Sequence, residues 1–130
     1  KFCLEGPVAC TITPVIEKQY ICMKVTGEVD RHSAMINNIQ AHRIGKELGI
    51  KKYLVDLTEA RNTESISDNY QFAYNDMQGT PDIDRSAMVA ILVSPEDHSH
   101  DFVETVSRNA GLNITLFSDR QLAERHLGIA

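Results

Sequence analysis

Hydrophobic and polar positions alternate near the start of the chain and then give way to helical spacing. Val8 to Ile16 and Tyr20 to Val29 are rich in Val, Ile and Thr, with a polar break at Glu17-Lys18. In the second run Ile21, Met23 and Val25 fall on one face and Cys22, Lys24 and Thr26 on the other, which predicts a half-buried antiparallel hairpin strand. Asp30 is placed to cap a helix to about Leu48, with Met35, Ile36, Ile39 and Ile44 as its apolar side and Gly49 as its stop. Lys52 to Leu57 reads as a short apolar strand, followed by a loop. Ile66, Tyr70, Ala73, Tyr74 and Met77 recur at helical spacing until Gly79-Thr80-Pro81.

Ala87 to Val93 is an unbroken apolar run, the signature of a strand covered on both faces. Ser94-Pro95-Glu96-Asp97 offers a helix start, with a capping serine, a first-turn proline and acids at the positive end of the dipole. Phe102, Val103, Val106 and Ala110 would form that helix's buried stripe, and Gly111 its end. Asn113 to Phe117 is the last strand. Ser118 with Gln121 predicts a capping box for a final helix packed through Leu122, Ala123 and Leu127. Strands joined by helices of this length require parallel, right-handed crossovers. The expected architecture is α/β: a single domain over residues 1–130, with a mixed, mostly parallel five-stranded sheet, an N-terminal β-hairpin and about four helices.

With 130 residues, the chain is long enough to bury roughly two-thirds of its unfolded surface, so it folds without staples. Thirteen Lys and Arg against eighteen Asp and Glu give a net charge of −5, and the only adjacent basic pair is Lys51-Lys52. Counterion release from phosphates needs clustered basic surface, so nucleic acid is not an expected partner. The cysteines, Cys3, Cys10 and Cys22, are odd in number and fit no zinc spacing; they read as small apolar fillers of the first strands. No apolar run approaches ~18 residues and no basic-then-apolar leader is visible, so the chain is expected to be cytoplasmic and not membrane-embedded. Asn113-Ile114-Thr115 matches the glycosylation triplet but falls on a strand.

Candidate chemistry is sparse. Glu96-Asp97-His98-Ser99-His100-Asp101 carries ligand-type side chains, but on a helix residues two apart point in different directions, so His98 and His100 do not share an ion. Asp82-Ile83-Asp84 lacks the further oxygens of a calcium loop. No glycine-rich phosphate cradle and no GxSxG elbow is present. No cofactor is expected. His32, His42 and His126 lie in helical segments and are expected to be partly exposed. An enzyme using His98 and Asp101 is the third-ranked reading. In open α/β sheets ligands gather beyond the carboxyl ends of strands, which here is the loop from Asp56 to Ser67. Thr63, Ser65 and Ser67 are its candidates for phosphorylation or partner binding, and each could equally cap the next helix.

The element order, together with Val25-Thr26-Gly27-Glu28-Val29, Tyr53-Leu54-Val55-Asp56-Leu57, the apolar strand from Ala87 to Val93 and the close Leu116-Phe117-Ser118-Asp119 with Ala123 and His126-Leu127, resembles STAS domains and their SpoIIAA-like relatives over roughly residues 8 to 128. His126 stands where that group commonly carries an aromatic. The resemblance implies a non-enzymatic bacterial regulatory or protein-interaction module. STAS proteins of the anti-sigma-factor antagonist type bind a kinase and are switched at a serine directly before glycine in an Asp-Ser-Ser-Gly segment after the third strand. The corresponding segment here is Glu64-Ser65-Ile66-Ser67, in which the acceptor position falls on Ile66, the glycine on Ser67, and Ser65 alone matches. The likeness of this group to the Sec14 type of fold implies an alternative, a carrier of a small apolar molecule or lipid. Its pocket candidates are Tyr70, Phe72, Tyr74, Met77 and Phe102, whose spacing also suits a dry core. Unpaired sheet edges leave a homodimer open.

Overall fold

The computed structural model describes residues 8–63, Gln71, Asn75 and 81–130. Its strands are β1 (Val8–Val15), β2 (Tyr20–Val29), β3 (Lys52–Asn62), β4 (Met88–Leu92) and β5 (Asn113–Phe117). Three helices are present among the described residues: α1 (Arg31–Leu48), α2 (Asp101–Asn109) and α3 (Arg120–Leu127), with a single 3-10 turn at Ile16–Lys18. Of the helix expected over Ile66 to Met77, Gln71 is helical, and all the residues that marked it, Ile66, Tyr70, Ala73, Tyr74 and Met77, lie outside the described residues.

Strand order in the sheet equals order in the chain, β1-β2-β3-β4-β5. The hairpin pairs β1 with β2 antiparallel, in register Ile12↔Met23, and all later neighbours are parallel. The mixed five-stranded sheet is therefore as the pattern predicts. Because the strands advance in one direction, right-handed crossovers place α1 and α2 on the same face. That face holds Ile12, Ile21, Met23, Val25, Tyr53, Val55, Ile91 and Ile114. The opposite face holds Tyr20, Leu54 and Ala90, and α3 covers it through Ala123 and Leu127. Cys10 is buried in the first layer and half-buried Cys22 packs against the second.

α1 is bracketed as expected. Asp30 Oδ1 accepts from the Ser33 amide at 2.7 Å, Ser33 Oγ accepts from the Asp30 amide, and Gly49 ends the helix at φ 71°. Its buried side is not the apolar one alone. Ser33, Asn37, Ala41, His42 and Gly45 are buried, while Met35, Ile39 and Ile44 are only partly so. Gly45 lies so close to Tyr53 that a Cβ there would come within 2.8 Å of the ring carbon bearing the hydroxyl. Small residues at spacing four let the C-terminal half of α1 lie close on the sheet.

Four expectations are corrected. β3 continues as strand to Asn62, so the segment after Leu57 is not a loop. No helix starts at Ser94: residues 94–100 form turns, and α2 begins at Asp101. α3 is capped one residue later than expected, by Asp119 Oδ1 accepting from the Gln121 amide at 2.8 Å, and its Leu122 is 48% exposed. His42 is buried, at 3% exposure.

Candidate functional site

The first two of these corrections have one cause. β3 pairs with β4 only from Lys52 to Asp56, whereas its pairing with β2 continues to Asn62. The tail from Leu57 to Asn62 would present backbone polar groups to nothing on its β4 side. The 94–100 segment meets that need with side chains. Ser94 Oγ donates to the Thr58 carbonyl at 2.9 Å, His100 Nε2 lies 3.1 Å from the Ala60 carbonyl, and Ser99 Oγ accepts from the Asn62 amide at 3.1 Å. The Ser94 hydroxyl is thus engaged across the sheet instead of capping a helix. Bonding to a carbonyl fixes His100 with its proton on Nε2.

Asp97 is the hub of this clamp. Its Oδ1 accepts from the Ser99 amide at 2.9 Å, its Oδ2 is 3.5 Å from His100 Nε2, and Oδ1 is 3.7 Å from Arg61. Burial works to raise the Asp97 carboxyl, but hydrogen bonds from the Ser99 hydroxyl and amide outweigh it and hold the group below its usual value. The clamp delivers the chain to Thr63 at the carboxyl end of the sheet. Thr63 is exposed, and both its amide and its Oγ1 donate to the Val29 carbonyl, at 3.2 and 3.3 Å. Ser65 and Ser67, the other candidates for phosphorylation or partner binding, lie outside the described residues.

A second feature lies between α1 and the sheet. A cavity of about 110 Å³ is floored by Val25, Val55, Val89 and Ile91 and roofed by Ala34, Asn37 and His42 of α1, with Val103 of α2 at its side. His42 is positioned by stacking on Tyr53, ring centroids 4.5 Å apart and planes 11° from parallel, and its Nδ1 accepts from the Asp84 amide at 2.9 Å. Burial pushes the imidazole down to about 4, the nearby Lys46 lowers it further and Asp84 only partly opposes, so the ring is neutral at pH 7. Asn37 is 1% exposed and its Oδ1 has no hydrogen-bond partner. Of the expected pocket residues, Tyr70, Phe72, Tyr74 and Met77 lie outside the described residues. Phe102 packs instead against Val106 and Ala110 and is not among the described residues lining the cavity.

The polar clusters read from the sequence come apart in space. His98 is exposed and pairs with Asp101 at 2.9 Å, whereas His100 turns inward to β3. Asp82 faces Arg43 and Asp84 faces Lys51, each at 3.0 Å, so the two carboxylates do not converge. Hydrogen bonds from Ser86 and Lys51 overcome burial and hold the Asp84 carboxyl down at about 2. On the sheet's other side, Lys24 bridges to Glu59 at 2.9 Å, and Arg120 to Glu124 at 3.2 Å with Asp56 at 4.0 Å. Burial raises the Cys22 thiol there, only partly offset by the Arg120 guanidinium, which disfavours the thiolate a nucleophile needs. Among the described residues no three His, Cys, Asp or Glu side chains converge as a metal site, and no helix is long and apolar enough to cross a membrane.

His42, Asn37 and Asp97 are the residues that sequence reasoning missed. The signal for Asn37 is present, since Ser33, Asn37, Ala41 and Gly45 recur every fourth residue beside the apolar stripe, and His42 adjoins that row. The sequence marks Asp97 only as a helix-start acid, because Arg61, its partner on β3, is distant in sequence although Ser99 and His100 are local.

No family model and no curated protein matches the sequence. The structure is similar throughout to the crystal structure of an anti-sigma factor antagonist from Mycobacterium paratuberculosis, at TM-score 0.60 and 10% identity, covering 97% of this chain and 98% of that one. It is also similar to the anti-sigma factor antagonist SpoIIAA in its unphosphorylated form, at TM-score 0.52 and 13% identity, covering 94% and 99%. An uncharacterized protein with a SpoIIAA-like fold from Shewanella loihica aligns over 98% of both chains at 18% identity and TM-score 0.47. The chain has the STAS/SpoIIAA-like fold.

Proposed function

We propose that the protein is a non-enzymatic regulatory or protein-interaction module of the STAS type, and that its partner docks at the carboxyl end of the sheet, around Thr63 to Asp68. The observation that carries this reading is the alignment of nearly the whole of both chains with an anti-sigma factor antagonist. The clamp supports it physically: a surface that recognises a partner is best held on rigid elements, and the 94–100 segment braces the β3 tail that leads into Thr63. In this reading Ser65 and Ser67 are the hydroxyls on which added phosphate charge would act.

The alternative of a lipid or apolar-ligand carrier is less well supported. The cavity of about 110 Å³ is well below the ~300 Å³ at which ligand pockets typically begin. The test is a crosslinking pull-down with the full chain and with Ser65→Glu, Ser67→Glu and Thr63→Lys variants, all checked for unchanged thermal unfolding. The expected result is a captured protein that the wild type retains and at least one variant loses. Retention by all three variants would move the docking surface elsewhere.

A further inference from the structure

We propose that the outer edge of β5 is a strand-pairing surface that fits a second copy of this chain, and that Glu104 of α2 holds it closed. This is independent of the partner surface at the sheet end. An outer strand presents a row of amides and carbonyls that serve as a template for another strand. Among the described residues β1 and β5 are the outer strands. The ladder shows which β5 groups point outward. The Val93 amide donates to the Phe117 carbonyl at 2.8 Å, so Phe117 turns its backbone groups toward β4. Alternate residues of a strand point the same way, so Asn113 and Thr115 do likewise, whereas Ile114 and Leu116 direct theirs outward. The outward Leu116 amide is taken by Glu104 Oε2 at 2.7 Å. That carboxylate stands where the carbonyl of an added strand would stand. An incoming strand would have to displace it and leave its charge poorly solvated.

The sequence explains why β5 needs a guard. Asn113-Ile114-Thr115-Leu116-Phe117 holds no charged residue and no proline, and is rich in β-branched and aromatic side chains. That is the pattern of a segment that pairs readily with its own kind. β1 is blunted within its own run by Pro14, which lacks an amide proton. β5 has no such residue, and its guard reaches it from Glu104, twelve residues before Leu116. A second copy is the occupant that the segment fits. Two uncharged β5 strands can run antiparallel about a two-fold axis with no like charges opposed.

The test compares the full chain with Glu104→Ala and Glu104→Leu, which remove the acceptor, and with Glu104→Gln, which keeps one. Sedimentation over a range of concentrations gives the mass, and amide exchange reports on the edge. Wild type and Glu104→Gln are expected to share one mass at every concentration. Glu104→Ala and Glu104→Leu are expected to assemble, as concentration rises, to about twice that mass. In dilute solution their Leu116 amide should exchange about tenfold faster, the value of one hydrogen bond. At high concentration Ile114 and Leu116 should both become protected. Asn113 is exposed, and Asn113→Lys added to Glu104→Ala is expected to restore the wild-type mass, since lysine on an outer strand opposes pairing. The proposal is overturned if both acceptor-free variants keep the wild-type mass throughout, or if Glu104→Gln assembles as they do. It is also overturned if the assembly survives Asn113→Lys or forms without protecting Ile114 and Leu116.

Discussion

His42 shows how one side chain couples burial to pH. In the unfolded chain its imidazole titrates near 6.5, and in the fold it is held down to about 4. The folded state therefore resists protonation, and the associated stability is fully present above 6.5 and lost as pH falls from there through about 4. A gap of that size corresponds to about 3 kcal/mol once both states are protonated. The charged groups nearest the ring work in opposite senses, Lys46 against protonation and Asp84 in favour of it, and Asp84 stays ionised throughout because its own carboxyl is held down at about 2. Tyr53, pushed up by burial to about 12, stays neutral beneath the ring. His42→Phe keeps an aromatic face on Tyr53 but removes both the titration and the acceptor for the Asp84 amide. We expect it to cost about 1–3 kcal/mol at pH 7.5. Relative to wild type, its urea-unfolding stability should fall less between pH 6.5 and 4.5. Parallel pH profiles for the two proteins would show that the ring does not govern acid stability.

Among the elements, α1 and α2 differ in how well their starts are written locally. Asp30 and Gly49 define α1 because both act within one turn of themselves, so the local pattern and the tertiary structure agree. Ser94-Pro95-Glu96-Asp97 has equally good local credentials, yet its groups answer a need set by the unequal lengths of β3 and β4, which local spacing does not contain. The β2 face pattern was legible for the same reason as α1: Ile21, Met23 and Val25 meet one core layer and Tyr20 and Cys22 the other, as period two requires. The site was less legible than the fold. An orphaned Asn37 or an Asp97 hub is defined by what surrounds it in space, and residue type alone does not carry that. The clamp makes its own prediction. Asp97→Ala removes the acceptor for Ser99 and the carboxylate beside His100 and Arg61, so the β3 tail should loosen before the sheet centre does. Amide exchange at Asn62 and Thr63 should quicken by about tenfold or more, corresponding to about 1–3 kcal/mol, while Leu54 stays protected. Equal acceleration at Leu54 would mean that Asp97 supports the whole fold and not the tail alone.

At the scale of the whole molecule, the fold is shared with proteins only 10% and 13% identical to this chain, so few fixed residues specify it. The two faces are unequally covered. One lies beneath α1 and α2, and Glu104 of α2 also accepts the Leu116 amide at 2.7 Å, binding that helix to β5. Among the described residues the other face rests on α3 and the following Ile129, with Leu127 at 1% exposure against Leu54 and Ala90. His126 adds a tilted ring contact with Phe117, ring centroids 5.2 Å apart. An eight-residue helix has little stability of its own, so its attachment depends on the side chains that it buries. Leu127→Ala should then cost about 2–5 kcal/mol, the range for truncating a fully buried leucine. Leu122, five residues earlier and turned well round the helix from Leu127, is 48% exposed and should tolerate alanine within about 0.5 kcal/mol. Chemical denaturation of the two variants separates these outcomes. A large loss at Leu122 with little at Leu127 would mean that α3 meets the sheet through its other side, and that the second layer of the core is built differently from the one described.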